Sequence, residues 1–170
     1  FLIQFAVREL LTVCLGRRTV VWGGHPAITP MVWAVCEDLG IDFAKNVVLY
    51  QSRYFDEWFP DENRRFANVI YTEAIDNDRT KSLLKMRESI LARKYEGAVF
   101  IGGMEGILEE YELFHSLHPK AKSIAVGSPG GASKILAEKL GQDTSRIDFA
   151  RLYYDGLEID AAEPRDKVRD

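Results

Sequence analysis

Six short runs of apolar, mostly β-branched or aromatic residues punctuate the chain: Thr19–Trp22, Val47–Tyr50, Asn68–Tyr71, Ala98–Ile101, Ser123–Val126 and Arg151–Tyr154. They are nearly continuous rather than alternating, as strands covered on both faces are. Between them the apolar residues recur at helical spacing, over Pro26–Leu39, Asp78–Lys94, Ile107–Leu117 and Ala132–Leu140, and a further helical stretch precedes the first run. Strands that alternate with helices predict a mainly parallel sheet, here of about six strands, with helices on both faces in three layers of an α/β domain. Gly16, Gly40 and Gly141 each follow a helical stretch, where a left-handed residue ends a helix well. Residues 1–155 read as one domain and residues 156–170 as a polar tail, frayed or linking.

Glycine placement sharpens this picture. Six of the thirteen glycines form three doublets, Gly23 with Gly24, Gly102 with Gly103, and Gly130 with Gly131. Each doublet falls after a predicted strand and before a predicted helix, at the edge where open α/β sheets bind ligands. Glycine there permits positive φ and close approach of a ligand, and the helix start beyond offers N–H groups and positive dipole charge to a phosphate. Three such loops on one edge predict a ligand with more than one phosphate, or a phosphate and a sugar.

Composition narrows the class. With 170 residues there is room for one domain with an adequate core. The net charge of −4 and the lack of a basic aromatic stripe argue against nucleic acid as partner. Cys14 and Cys36 lie in apolar helical stretches and make neither a disulfide framework nor a zinc constellation, which points to the cytoplasm. His25, His115 and His118 share no metal-ligand spacing, so no metal is expected. Phe1–Leu15 carries Arg8 and Glu9, is too short to span a bilayer, and lacks a basic leader, so no membrane segment or signal peptide is expected. The first residue is Phe1 rather than Met, which leaves room for a longer parent chain. No G-x-G-x-x-G spacing and no Gly-Lys-Ser/Thr occurs, which disfavours a standard NAD oxidoreductase or a P-loop enzyme. No cofactor is expected.

The segment Ala98–Glu110, Ala-Val-Phe-Ile-Gly-Gly-Met-Glu-Gly-Ile-Leu-Glu-Glu, resembles the strand, Gly-Gly loop and acidic helix of the SLOG superfamily. That superfamily gathers the LOG cytokinin-activating enzymes, DprA-like proteins, and sensor domains of TRPM channels and of sirtuin- and TIR-linked bacterial defence proteins. Val21–His25 resembles its first strand and glycine turn, Ser82–Glu88 the Met-Arg-Glu helix of the sensor branch, and Gly127–Ala132 that branch's last glycine loop. The likeness runs over about residues 10–155 and implies a Rossmann-like domain. On the LOG signature Pro-Gly-Gly-x-Gly-Thr-x-x-Glu, this chain sets Ile101 at the proline, Gly102 and Gly103 at the glycines, Glu105 at the third glycine, Gly106 at the threonine and Glu109 at the glutamate. The family's catalytic arginine falls at or beside Arg87. A carboxylate at Glu105 sits where an anion-binding loop prefers none, and it favours a sensor over an enzyme.

Individual residues carry the expected chemistry. Glu109, in the first turn of its helix, is expected to hold ribose hydroxyls or, in an enzyme, to stabilise an oxocarbenium ion; the alternative is a carboxylate that complements the helix dipole. Arg79 and Arg87 lie on one helix and suit phosphate, which the planar guanidinium grips with two donors. His25 and Arg53 sit in loops after the first two strands, and Tyr54 or Phe55 could stack on a base. Ser128 offers a hydroxyl beside the last doublet. The full expected ligand set is Gly23, Gly24, His25, Arg53, Arg79, Arg87, Gly102, Gly103, Met104, Glu105, Gly106, Glu109, Ser128, Gly130 and Gly131.

The resemblance implies a ligand-sensing domain for an NAD-derived or cyclic nucleotide second messenger of the cyclic ADP-ribose type. Its setting would be bacterial anti-phage defence, with a homo-oligomer switching an attached or associated TIR or other effector. The alternative is a LOG-like nucleoside 5′-monophosphate phosphoribohydrolase with Glu109 and Arg87 as its catalytic pair. A DprA-like single-strand DNA binder is the least favoured.

Overall fold

A computed structural model describes residues 1–23, 28–103 and 106–165. The helices are α1 (Leu2–Cys14), α2 (Thr29–Leu39), α3 (Arg79–Leu91), α4 (Gly106–Leu117), α5 (Gly131–Lys139) and α6 (Phe149–Gly156). The strands are β1 (Val20–Gly23), β2 (Val47–Ser52), β3 (Val69–Thr72), β4 (Gly97–Ile101) and β5 (Lys122–Val126). The chain divides into two compact units, Cys14–Arg93 with the residues from Glu163 onward, and Phe1–Val13 with Lys94–Ala162. Both are α/β with parallel strands, which is compatible with the Rossmann-like class.

In the first of these units the strands run in the order β1-β2-β3, all parallel. Every residue of β2 is buried, as the continuous apolar run required. Val48 and Tyr50 pack with Met86 of α3, and Val21, Leu83 and Ile90 close round them. Because side chains alternate along a strand, Trp22, Leu49 and Gln51 point to the opposite sheet face. Trp33 of α2 meets Phe66 edge-on at 5.3 Å. A 3-10 turn, Asp61–Arg65, precedes that phenylalanine, and Arg65 reaches Glu37 of α2 at 3.6 Å. Glu163 and Arg165 of the polar C-terminal stretch bond to the segment before β1. Arg17 Nε donates to Glu163 O at 2.8 Å, Arg18 pairs with the Glu163 carboxylate at 2.9 Å, and Arg165 donates to Leu15 O at 2.9 Å.

In the second unit β4 and β5 pair in parallel, Gly97 opposite Lys122 through Ile101 opposite Val126. Phe100 packs its ring against Tyr111 and Phe114 of α4. On the other side of β5, Gln142 accepts from Ala125 N at 2.9 Å and donates to Ser123 O at 2.8 Å.

The expected sixth strand is a helix, and the described strands form sheets of three and two rather than one sheet of about six. Arg151–Tyr154 lies inside α6. The apolar run there belongs to a helical period: Phe149 and Tyr153, four apart, are both fully buried. Asp148 caps the helix by accepting from Arg151 N at 3.0 Å, and Tyr153 donates its hydroxyl to Ala6 O at 2.9 Å.

Candidate functional site

The loops after β4 and β5 form one structure. Gly102, Gly103, Gly130 and Gly131 all have positive φ, between 64° and 82°. Ala132 N donates to Gly103 O at 3.2 Å and Ser133 N to Gly102 O at 3.1 Å. Two of the first N–H groups of α5, those of Ala132 and Ser133, are therefore occupied by the neighbouring loop rather than free for a phosphate. A Cβ on Gly131 would lie 2.8 Å from Gly103 O, so glycine here is a requirement of loop against loop.

Ser133 ties this arrangement to the sheet. It is fully buried, accepts from Gly102 N at 2.8 Å, and donates to Val126 O at 2.6 Å, with Gly130 O at 3.2 Å. Ser133 was not among the residues expected to form the site. Its signal was a hydroxyl in the first turn of α5, three and four residues before the core positions Leu136 and Ala137.

Ser128, expected as a donor, has a buried Oγ with no partner among the described residues. An unpaired hydroxyl beside a glycine loop is available to a ligand oxygen or a water. Gly106 opens α4, and Glu109 stands exposed in its first turn. Its carboxylate complements the helix dipole and is accessible to a polar ligand. Met104 and Glu105 lie outside the described residues, as do Gly24 and His25.

The other expected residues belong to the three-stranded unit. Gly23 ends β1, and a Cβ there would run into Ile90 of α3 and approach Tyr50 Cβ to 3.3 Å. Helix packing thus accounts for this glycine. Arg53 stacks over Tyr71 at 4.8 Å and lies 3.6 Å from Asp56 and 3.8 Å from Glu73. These pairs are solvent-exposed and weak, and they leave the guanidinium able to exchange partners. Tyr54 and Phe55 meet each other edge-on at 5.2 Å, and Phe55 is buried, so it serves as cover for the sheet end. Arg79 is exposed at the first position of α3, and Arg87 is half-buried two turns further along.

Buried polar atoms collect in this unit too. Thr29 Oγ1, Gln51 Oε1 and both carboxamide atoms of Asn63 have no partner among the described residues. Among the described residues no group of three or more His, Cys, Asp and Glu could hold a metal ion, and no helix is long and apolar enough to cross a membrane.

Parallel strands, crossover helices and glycine loops at carboxyl ends are compatible with a Rossmann-like class of domain. The chain matches the SLOG cluster3 family over residues 1–157 and belongs to it. That membership points to a nucleotide-related function. Comparisons with curated proteins and with solved structures give no match.

Proposed function

We propose that this chain is a ligand-sensing domain for an NAD-derived or cyclic nucleotide second messenger of the cyclic ADP-ribose type. It would act in the cytoplasm in bacterial anti-phage defence, as a homo-oligomer that switches an attached or associated effector such as a TIR domain. What supports this reading is membership of the SLOG family together with the buried Ser128 hydroxyl, which has no partner among the described residues, beside the glycine loops after β4 and β5. Four glycines at positive φ hold Gly102–Gly103 against the start of α5, with the unpaired Ser128 hydroxyl beside them. The family's enzyme loop is altered in this sequence by Glu105 and Ile101, which favours binding without turnover. Switching requires the ligand to bind the active arrangement more tightly than the resting one.

Calorimetry with cyclic ADP-ribose isomers, ADP-ribose and AMP tests this reading. Micromolar binding of a cyclic isomer with no chemical change in it is the expected result, and no binding of any nucleotide at millimolar concentration would overturn it. Glu109, exposed at the start of α4, keeps the phosphoribohydrolase reading open. Free adenine released from AMP by the protein, and abolished in Glu109→Gln, would establish that alternative instead.

A further inference from the structure

We propose that the first turn of α1 is a strap over the Gly102–Gly103 loop, held there by Ile3, which a nucleotide lifts when it binds. The inference rests on the nucleotide-binding reading and adds to it a restraint on affinity built into the same unit.

The loop is already filled by its own chain. Gly102 N donates to Ser133 Oγ at 2.8 Å, and Gly102 O accepts from Ser133 N at 3.1 Å. Gly103 O accepts from Ala132 N at 3.2 Å. The bare faces of the two glycines are covered as well. Where a side chain would start on Gly102, Ile3 Cδ1 stands 2.8 Å away and Ile3 Cγ1 3.2 Å away. The same place on Gly103 is taken by Ile107 of α4. A glycine lets a ligand come close to the backbone because no side chain stands in the way. At Gly102 that approach is occupied by a side chain from another element, so a ligand that uses the doublet has to displace a neighbour.

Among these neighbours Ile3 is the one held loosely. Ala132 and Ser133 are buried at the start of α5. Ile107 belongs to α4, whose Tyr111 and Phe114 pack on Phe100. Ile3 is 41% exposed, and residues 1–5 are all exposed. The anchors of α1 lie further along the helix. Phe5 meets Phe149 edge-on at 5.5 Å, Ala6, Val7 and Leu11 are buried, and Ala6 O receives the Tyr153 hydroxyl at 2.9 Å. The first turn can therefore open while the rest of α1 stays docked. Local opening is drawn from segments of this kind, with few buried contacts and exposed main-chain bonds. If only the open form takes the ligand, the observed affinity is lowered by the fraction of molecules that are open. Ile3→Ala removes the atoms that touch Gly102 and should raise that fraction.

The test is calorimetry on wild-type protein and Ile3→Ala with AMP, ADP-ribose and cyclic ADP-ribose isomers. The variant should bind about three- to ten-fold more tightly, the loss of a half-buried side chain passing directly into the open fraction. In hydrogen exchange, saturating nucleotide should speed exchange at the Phe5 amide, which bonds to Phe1 O at 3.0 Å in the closed turn. Weaker binding by Ile3→Ala overturns the strap and makes Ile3 a wall of the ligand site. Slower exchange at Phe5 on binding overturns it too. Equal affinity in the two proteins overturns the strap alone and leaves the sensor reading standing. If neither protein binds any nucleotide, the sensor reading fails and the strap with it.

Discussion

Gly131→Ala should be among the most damaging single methyl additions in the chain, and its cost can be worked from the loop geometry. Gly131 has φ +68°, a left-handed conformation that costs a non-glycine residue about 1–2 kcal/mol. The added Cβ would also stand 2.8 Å from Gly103 O, which is backbone and cannot rotate away. The β4 loop must then draw back, weakening the bonds from Ala132 N to Gly103 O and from Ser133 N to Gly102 O. At about 1 kcal/mol each, these add about 2 kcal/mol to the conformational cost. Gly141→Ala is the internal control, with nearly the same φ of +69° and nothing within 4 Å of the new Cβ. The two variants should differ by about 2 kcal/mol in urea unfolding, or about 4–8 °C in melting temperature for a chain of this size. Far-UV circular dichroism is the suitable probe, since Trp22, Trp33 and Trp58 all lie in the other unit. Equal destabilisation by Gly131→Ala and Gly141→Ala would refute the claim that loop-on-loop contact requires this glycine.

Ser133→Ala should cost about 1–3 kcal/mol in the same assay, because Val126 O loses its hydroxyl donor and Gly102 N its acceptor inside the protein. Tyr153→Phe removes one buried bond to Ala6 O and should cost about 1 kcal/mol. Burial pushes the Cys14 thiol up to about 12, against the opposing pull of Arg18, Arg17 and Arg165, and burial pushes Cys36 up to about 11. Both should resist a thiol reagent at pH 8 in the folded protein and react fully in urea. Between about pH 9 and 12 the folded state keeps the Cys14 proton that the unfolded chain releases, so stability should fall as pH rises there. The slope from Cys14 is at most about 1.4 kcal/mol per pH unit, and Cys14→Ala should flatten the curve by that amount.

The sequence made some of these features legible and hid others for physical reasons. Five of six strands were readable because each is a continuous apolar run, and β2, buried at every position, is the clearest case. Arg151–Tyr154 misled because Leu152, Tyr153 and Tyr154 look like a strand when read alone. Only the four-residue spacing from Phe149 to Tyr153 shows the helix. The glycine loops were found by their position after strands, but their mutual locking was not. That depends on Ser133 and on main-chain bonds, which carry no sequence pattern. The Gly23 doublet shows the converse: a glycine that looked like a ligand loop is explained, at Gly23, by Ile90 of α3. Thr29, Gln51 and Asn63 escaped notice because an unpaired atom is a property of surroundings, not of residue type.

The Gln142 carboxamide has a consequence for how this chain behaves at high concentration. Its pattern at Ser123 O and Ala125 N is the one a neighbouring strand would use, so a side chain occupies the place of a second ladder of backbone bonds along β5. A free strand edge is a template on which another chain can add, and proteins that leave one open are prone to association by strand addition. Here one glutamine closes that template from within the same chain. It does so without a proline, and the backbone groups of Ser123 and Ala125 that face away from β4 are already spoken for.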